Sequence, residues 1–443
     1  MQERLGPAFN LFTQSLQQPS PVSIRYNGKK LSQTRGKEIP WCTTGRYLDG
    51  RPVFTLDPLF HAGAYYVQEA SSMLIEQAVT QSIDLKKSIT VLDLCAAPGG
   101  KSTHLLSLLS PESLLISNEV IRSRASILIE NIEKWGRDNV VVTSNDPADF
   151  GRLPECFDLV LLDAPCSGEG LFRKEPEATN EWSPKNVDLC SLRQRRIVGD
   201  VWDTLKPGGI MIYSTCTYND MENIDNVVWL SNQHGAECVS LQLHPSWGID
   251  VIRKSNATGY QCFPHKVHGE GFFFAVIRKP GNPGQRKIRT KDLLTAPDRG
   301  SAQVIKTWIR NPEGKCLFTH GQQIRMIPDV QKQALNMVLG ELHVLQAGTG
   351  IGEVMKNKII PDHGLALSVD RDPGAFPQIS MSEEQALAFL RKDVVSPSTT
   401  STGFHLVTFQ ELGLGWVNVL PNRINNLYPA ARRIRMGDLP RRS

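Results

Sequence analysis

The chain has 443 residues, 40% of them hydrophobic and 21% charged, with a formal net charge of +4 at neutral pH. That length exceeds what one core usually holds, so at least two domains are expected, and the composition excludes a disordered chain. No apolar run approaches the ~18–20 residues of a bilayer span, the first residues lack a signal-peptide core, and nine cysteines without a CxxC spacing fit free thiols; a cytoplasmic protein without membrane contact is expected.

In chain order, residues 1–85 read as an N-terminal extension that packs on the next domain, with helical apolar spacing in Tyr65–Leu74. From 86 to 278 short apolar runs alternate with helical patterns, the signature of an α/β fold with a Rossmann-like doubly wound sheet. Strands are expected at Ile89–Leu94, Leu114–Glu119, Asn139–Thr143, Phe157–Asp163, Ile210–Ser214 and Phe272–Ile277, and helices at Ser102–Leu109, Ser123–Trp135 and Val187–Leu205. Lys206-Pro207-Gly208-Gly209 is expected to stop the last of these helices. Residues 279–300, rich in Pro, Gly and basic side chains, read as a linker. Beyond it, 301–443 reads as a small β-rich region, with strands at His405–Phe409 and Gly415–Val419, a helix at Glu383–Arg391 and a polar loop at Ser396–Thr402.

Positive charge is uneven. Residues 278–293 carry six Lys/Arg against one acid and 421–443 six Arg against Asp438, so the rest of the chain is net acidic. Such patches suit phosphate backbones, although a solvated linker and a frayed tail read equally well from charge alone.

The first strand-to-helix turn is Asp93-Leu94-Cys95-Ala96-Ala97-Pro98-Gly99-Gly100-Lys101-Ser102. Small residues there let the backbone approach a ligand, and the helix N-terminus offers it N–H groups. A phosphate loop would need glycine where Cys95 stands. Glu119, Asp146 and Asp163 close or follow the next strands, where doubly wound sheets hold ligands. Glu119 is placed to accept the hydroxyls of a ribose, and Asp146 to sit by an adenine amino group. Two cysteines end later motifs: Cys166 in Asp163-Ala164-Pro165-Cys166-Ser167-Gly168 and Cys216 in Ser214-Thr215-Cys216-Thr217. Cys95, Cys156, Cys190 and Cys238 read as buried small hydrophobes. His265 and His268 beside Cys262 lack a second ligand cluster, so no metal is expected.

Together with Glu222-Asn223, Pro264-His265 and Gly269-Glu270-Gly271-Phe272-Phe273, these motifs resemble those of the Nop/Sun family of S-adenosylmethionine-dependent RNA cytosine-5 methyltransferases. The flanks, Arg51–Pro58 with His61-Ala62-Gly63, and Gly415-Trp416 with Asn426–Pro429, resemble a bacterial branch that acts on small-subunit ribosomal RNA and carries a C-terminal PUA-like RNA-binding domain. The resemblance implies S-adenosylmethionine held by Cys95–Lys101, Glu119, Asp146 and Asp163. It implies Cys216 as nucleophile toward cytosine C6, Asp163 at the ring N3 and amine, and Cys166 assisting loss of the C5 proton and release, with Lys101 supporting the thiolates. The target base must be extruded or single-stranded, and Arg173, Lys174, Lys185, Arg193, Arg195 and Arg196 are candidates to hold its phosphates. Transfer RNA as substrate, or a non-catalytic role in ribosome assembly, are the rival expectations.

Overall fold

The computed structural model describes the chain except residues 33, 176, 283–290, 357, 394–400 and 437–443. Most of the expected polar loop at 396–402, and part of each basic stretch, lie outside the described residues. No helix among the described residues is long and apolar enough to cross a membrane.

The N-terminal region forms a four-stranded antiparallel sheet of its own, in the order Lys37–Ile39, Cys42–Leu48, Val22–Tyr26, Tyr65–Val67. The helical spacing expected at Tyr65–Leu74 is therefore a strand followed by a 3-10 turn, Ser71–Leu74, with the α-helix only at Ile75–Thr80. Pairing with Val22–Tyr26 overrides the local pattern there.

The central sheet contains β1 (Thr90–Asp93), β2 (Leu114–Asn118), β3 (Val140–Thr143), β4 (Phe157–Asp163), β5 (Leu205–Thr215), β6 (Asp250–Lys254), β7 (Ala257–Cys262), β8 (Phe272–Arg278) and β9 (Val344–Ala347). Their spatial order is β6-β7-β8-β5-β4-β1-β2-β3-β9, with β1 to β5 parallel. Strand alternation divides the core into two layers. Val91, Leu115, Leu159 and Leu161 enter one, with Leu105 from helix α1 (Gly100–Leu108) and Leu128 and Trp135 from α2 (Arg122–Trp135). Leu92, Ile116, Val160 and Leu162 enter the other, with Ile197 and Val201 from α3 (Pro184–Trp202) and Val227 and Leu230 from α4 (Ile224–His234).

One boundary differs from expectation. Lys206–Gly209 does not cap α3, which ends at Trp202; these residues form an excursion within β5, where Leu205 pairs with Phe157 and Ile210 with Leu159. The excursion is held by Gly208 N–H to Lys279 O and Lys279 N–H to Gly209 O.

The sheet also continues past the basic linker. β9 pairs antiparallel with β3, Ala347 opposite Val141, so a strand from the 301–443 region covers what would be a free edge. Ile327, Leu335, Val338 and Leu342 join the same core layer as Ile197 and Val201. The 279–300 segment thus separates two stretches of sequence whose cores are joined. Farther on, one four-stranded sheet holds Lys315–His320, Gln323–Pro328, Thr349–Met355 and Lys358–Pro361, and another holds Gln378–Ser380, Gly403–Phe409, Leu412–Leu420 and Arg423–Asn426, with the expected helix at Glu383–Arg391.

Truncation after residue 300 should therefore not release a stable catalytic core. Each large apolar side chain stripped of its partners costs about 1.5–3 kcal/mol, and several such losses rival the ~5–15 kcal/mol that usually hold a domain folded. The truncated chain should aggregate or melt well below the full chain, as read by thermal unfolding and size-exclusion chromatography; an unchanged melting temperature would contradict the joined core.

Candidate functional site

The turn after β1 is braced on three sides. Ala96 N–H donates to Asn118 O at 2.8 Å, Arg124 Nη2 donates to Ala97 O at 2.9 Å, and Asn131 Nδ2 to Pro98 O at 2.8 Å. Gly99 has φ +112°, and a Cβ there would meet Leu128 at 3.2 Å, so glycine alone fits without strain. Gly100 then opens α1 beside the Tyr66 ring.

Between this turn and the N-terminal sheet lies a cavity of about 160 Å³, walled by Cys95–Pro98, Gly100, Lys101 and Asp163 on one side and by Tyr66, Gln68, Glu69 and Ser72 on the other. The N-terminal region therefore builds part of the site. Only the interruption of an apolar run by Gln68, Glu69, Ser71 and Ser72 hinted at this in sequence.

Three acids crowd the strand ends. Glu119 is buried; it accepts Ile121 N–H at 3.0 Å and lies 3.5 Å from Arg124 Nη1. Asp163 accepts from Lys101 Nζ at 2.7 Å and from Ser214 Oγ at 2.8 Å. Burial opposes the charge on Lys101, but the charge and hydrogen bond of Asp163 outweigh it and hold the ammonium above its usual range. Asp93, which sequence reasoning passed over as a site residue, is fully buried; Ser102 Oγ donates to its Oδ2 at 2.6 Å, while its Oδ1 has no partner. Burial, with Asp163 nearby, pushes its carboxyl up to about 7 despite the Ser102 bond. An orphaned carboxylate oxygen among these acids beside a glycine turn fits a cationic ligand that brings hydroxyls and an amine. Asp146 is more exposed: its Oδ1 accepts Ala148 N–H at 3.1 Å, and its side chain forms a capping box with Asp149 at the start of the 3-10 turn Pro147–Arg152.

The two motif cysteines meet. Cys166 Sγ and Cys216 Sγ stand 3.2 Å apart, both partly exposed. The hydrogen bond to Cys216, then burial, then the charges of Cys216 and Glu222 raise the Cys166 thiol well above its usual range. Cys156 and Cys190 are buried as expected, whereas Cys95, whose thiol is raised chiefly by desolvation, and Cys238 are only half-buried against the core, because each sits at its edge. Sequence reasoning assigned no role to Glu169, whose carboxylate accepts Thr217 Oγ1 (2.8 Å), Tyr218 N–H (2.8 Å) and Asn219 N–H (2.9 Å) and so grips the loop that carries Cys216.

The proposed phosphate contacts divide. Arg173 is not available: it forms a buried pair with Glu270 at 3.0 Å and donates to Gly269 O. Arg195 donates to Asn226 Oδ1 and lies over the Trp229 ring. Lys174, Lys185, Arg193 and Arg196 are exposed. In the basic stretches Lys279 donates to Trp202 O and Leu205 O, and Arg432 pairs with Glu133. Among the described residues Cys42, Glu76 and His104 are near enough to share a metal ion. Burial lowers His104 to about 4, so the imidazole is neutral, and its Nε2 stands 3.0 Å from Glu76 Oε2 and 3.8 Å from Cys42 Sγ. The Nε2 bond to Glu76 ties the cluster together, while the buried Nδ1 of His104 has no partner.

Asp93→Asn tests the electrostatics. Because the native carboxyl is raised, ionising it costs stability as pH climbs from about 4 to about 7, and the asparagine escapes that cost. The variant, without ligand, should gain on the order of 2 kcal/mol more over the native chain at pH 8 than at pH 5. Denaturant unfolding at the two pH values measures this; an equal difference at both would remove the shift.

Three family models match the chain: "N-terminal domain of 16S rRNA methyltransferase RsmF" over residues 1–70, "16S rRNA methyltransferase RsmB/F" over 80–278 and "Methyltransferase RsmF PUA domain" over 376–434. Ribosomal RNA small subunit methyltransferase F of Shewanella loihica is 31% identical over 88% of this chain and 82% of its own length. The protein of that name from Cronobacter sakazakii is 32% identical over 96% and 92%. A solved methyltransferase homolog protein from Pyrococcus horikoshii is 28% identical, covers 62% of this chain and 91% of its own, and superposes with a TM-score of 0.53.

Proposed function

This chain belongs to the ribosomal RNA small subunit methyltransferase F family, and we propose that it methylates cytosine C5 in small-subunit ribosomal RNA through a covalent adduct to Cys216. The observation that carries the reading is the 3.2 Å approach of Cys166 and Cys216 beside the Asp163–Lys101 pair. S-adenosylmethionine supplies the electrophilic methyl group. Cys95–Lys101 and Glu119 would hold it, with Asp146 toward the adenine and Asp163 between it and the base; the orphaned Asp93 oxygen adds negative charge to the same crevice.

Cytosine C5 is a poor nucleophile until a thiolate adds to C6. The Cys216 thiol gives its proton to solvent and the thiolate, 3.2 Å from Cys166 Sγ, attacks C6; the S–C6 bond forms, the C5–C6 π electrons move through C5 toward N3, and N3 takes a proton from solvent. Asp163, fixed by Lys101 and Ser214, accepts from the N3–H and the exocyclic amine and so stabilises the N3-protonated adduct. As a thioether, Cys216 no longer shares a proton with Cys166, and the Cys166 proton passes to solvent. Once C5 carries the methyl group, the Cys166 thiolate takes the C5 proton, the C5–H electrons restore the C5–C6 double bond, and the C6–S bond breaks to return Cys216 as thiolate.

Cys216→Ala should abolish both methyl transfer and RNA adduct, whereas Cys166→Ala should form the adduct and fail to release it. A denaturing gel with labelled RNA distinguishes them, and the opposite pattern would reverse the two roles. Bisulfite sequencing of total RNA from a deletion strain and its parent names the product: one lost methylcytidine in small-subunit ribosomal RNA is expected, and a loss confined to transfer RNA would move the substrate.

Glu119→Ala should cost about 1.5–3 kcal/mol in S-adenosylmethionine binding, the range for hydrogen bonds to a charged acceptor, or roughly 10- to 150-fold in Kd. Calorimetry on the folded variant is the measurement, and an unchanged Kd would take Glu119 out of the site.

A further inference from the structure

We propose that Glu222 is the positioning residue that sets Cys166 against Cys216 for the release step, an inference that rests on the roles given to the two thiols above. Glu222 lies in the turn after Cys216 and is wholly buried. Its carboxylate gathers donors from both cysteine loops and from α3. Ser167, next to Cys166, donates its backbone N–H at 2.9 Å and its hydroxyl through a short bond; Asn219 Nδ2 donates at 2.7 Å and Gln194 Nε2 at 2.8 Å. Gln194 Nε2 also donates to Pro165 O at 2.9 Å, so a second strut reaches the Cys166 loop. The turn is fixed in its own right, because Tyr213 Oη donates to Glu222 O at 2.6 Å and Glu222 N–H to Asn219 Oδ1 at 2.9 Å.

A buried carboxylate is costly unless it is fully bonded, and here four donors satisfy it. Pro165 is exposed, no regular element runs through Ala164–Gly168, and the other bonds of this loop join uncharged groups, among them Ala164 N–H to Ser214 O at 2.8 Å, Gln194 Nε2 to Pro165 O at 2.9 Å and Ser167 Oγ with Thr217 Oγ1 at 3.1 Å. Glu222 is thus the anchor that fixes where the residue after Cys166 sits relative to the loop bearing Cys216. Addition to C6 needs Cys216, whose loop Glu169 also grips. Release needs Cys166 at the C5 proton, and that placement rests on Glu222.

Glu222→Gln keeps the shape but turns one acceptor into a donor facing donors. In single-turnover reactions with S-adenosylmethionine and labelled small-subunit RNA, it should form adduct at a rate within about threefold of the native protein. It should release product about 10-fold or more slowly, the factor one charged hydrogen bond is worth. Ser167→Ala removes only the hydroxyl donor and leaves the buried carboxylate bonded, so it should fold and show a smaller slowing of release. Cys166→Ala is run beside them. If it traps adduct while Glu222→Gln and Ser167→Ala both release like the native protein, the proposal is overturned and the thiol assignment stands. If Glu222→Gln loses adduct formation as well, Glu222 acts on the whole site and the proposal is overturned. If Cys166→Ala traps nothing, the assignment of the thiols fails first, and the inference with it.

Discussion

The site depends on the register of β4 against β5, which places Asp163 opposite Ser214. From that pair the two chains leave the sheet side by side, one toward Cys166 and the other toward Cys216. Ala164 N–H donating to Ser214 O carries the ladder one step past the strand end. A slip of one residue would turn Asp163 into the apolar layer that holds Leu162 and Val160, and would bring Leu162 to the crevice. Burial of both faces of the sheet is what forbids the slip. The placement of the thiols is in this sense secured by Leu159, Leu161, Ile210 and Ile212, none of which lines the cavity.

Charge at the strand ends follows a second constraint. Asp93, Glu119 and Asp163 converge where Lys101 and Arg124 are the near cations, and Lys101 is taken up by Asp163. A crevice with surplus negative charge favours a cationic donor over its product. S-adenosylmethionine, the donor in the proposed reaction, carries a sulfonium that becomes a neutral thioether once the methyl has left, so under that reading the same electrostatics would draw the donor in and loosen the spent molecule. Asp93 is the clearest sign of this crowding, since burial, with Asp163 and Glu119 nearby, pushes its carboxyl up to about 7 even though Lys101 opposes the shift.

The sequence made the central sheet and the two cysteine motifs legible because both are local: apolar runs of strand length, and short motifs at strand ends. What it hid was long-range. Glu69 accepts Glu270 N–H, and Tyr47 Oη donates to His268 O, contacts that join the N-terminal sheet to the far end of the catalytic region. They explain why Tyr66, Gln68 and Glu69 wall the cavity, and why residues read as mere packing belong to the site. Arg173 was misread for the same reason: its charge pointed to phosphate, while its partner Glu270 is distant in sequence. Lys206–Gly209 looked like a helix stop because turn residues carry no label saying whether they end a helix or interrupt a strand. β9 was missed because a short strand, completing a sheet begun far upstream, leaves little periodicity to detect.

Loops that leave a sheet are mobile by default, yet a displacement of about 1 Å between reacting atoms can cost a hundredfold in rate. Three buried or half-buried carboxylates answer that problem in the same way. Glu169, on the Cys166 side, grips backbone N–H groups of the Cys216 loop; Glu222, on the Cys216 side, grips Ser167 of the Cys166 loop; Glu270 holds Arg173 beyond them. Each acid bonds across to the other segment, so neither loop can shift without breaking charged hydrogen bonds in both directions. Apolar packing could not do this, because an irregular loop leaves backbone N–H groups that demand acceptors. Carboxylates meet that demand and, through Glu222, add a negative charge that helps to keep Cys166 protonated until the substrate is bound.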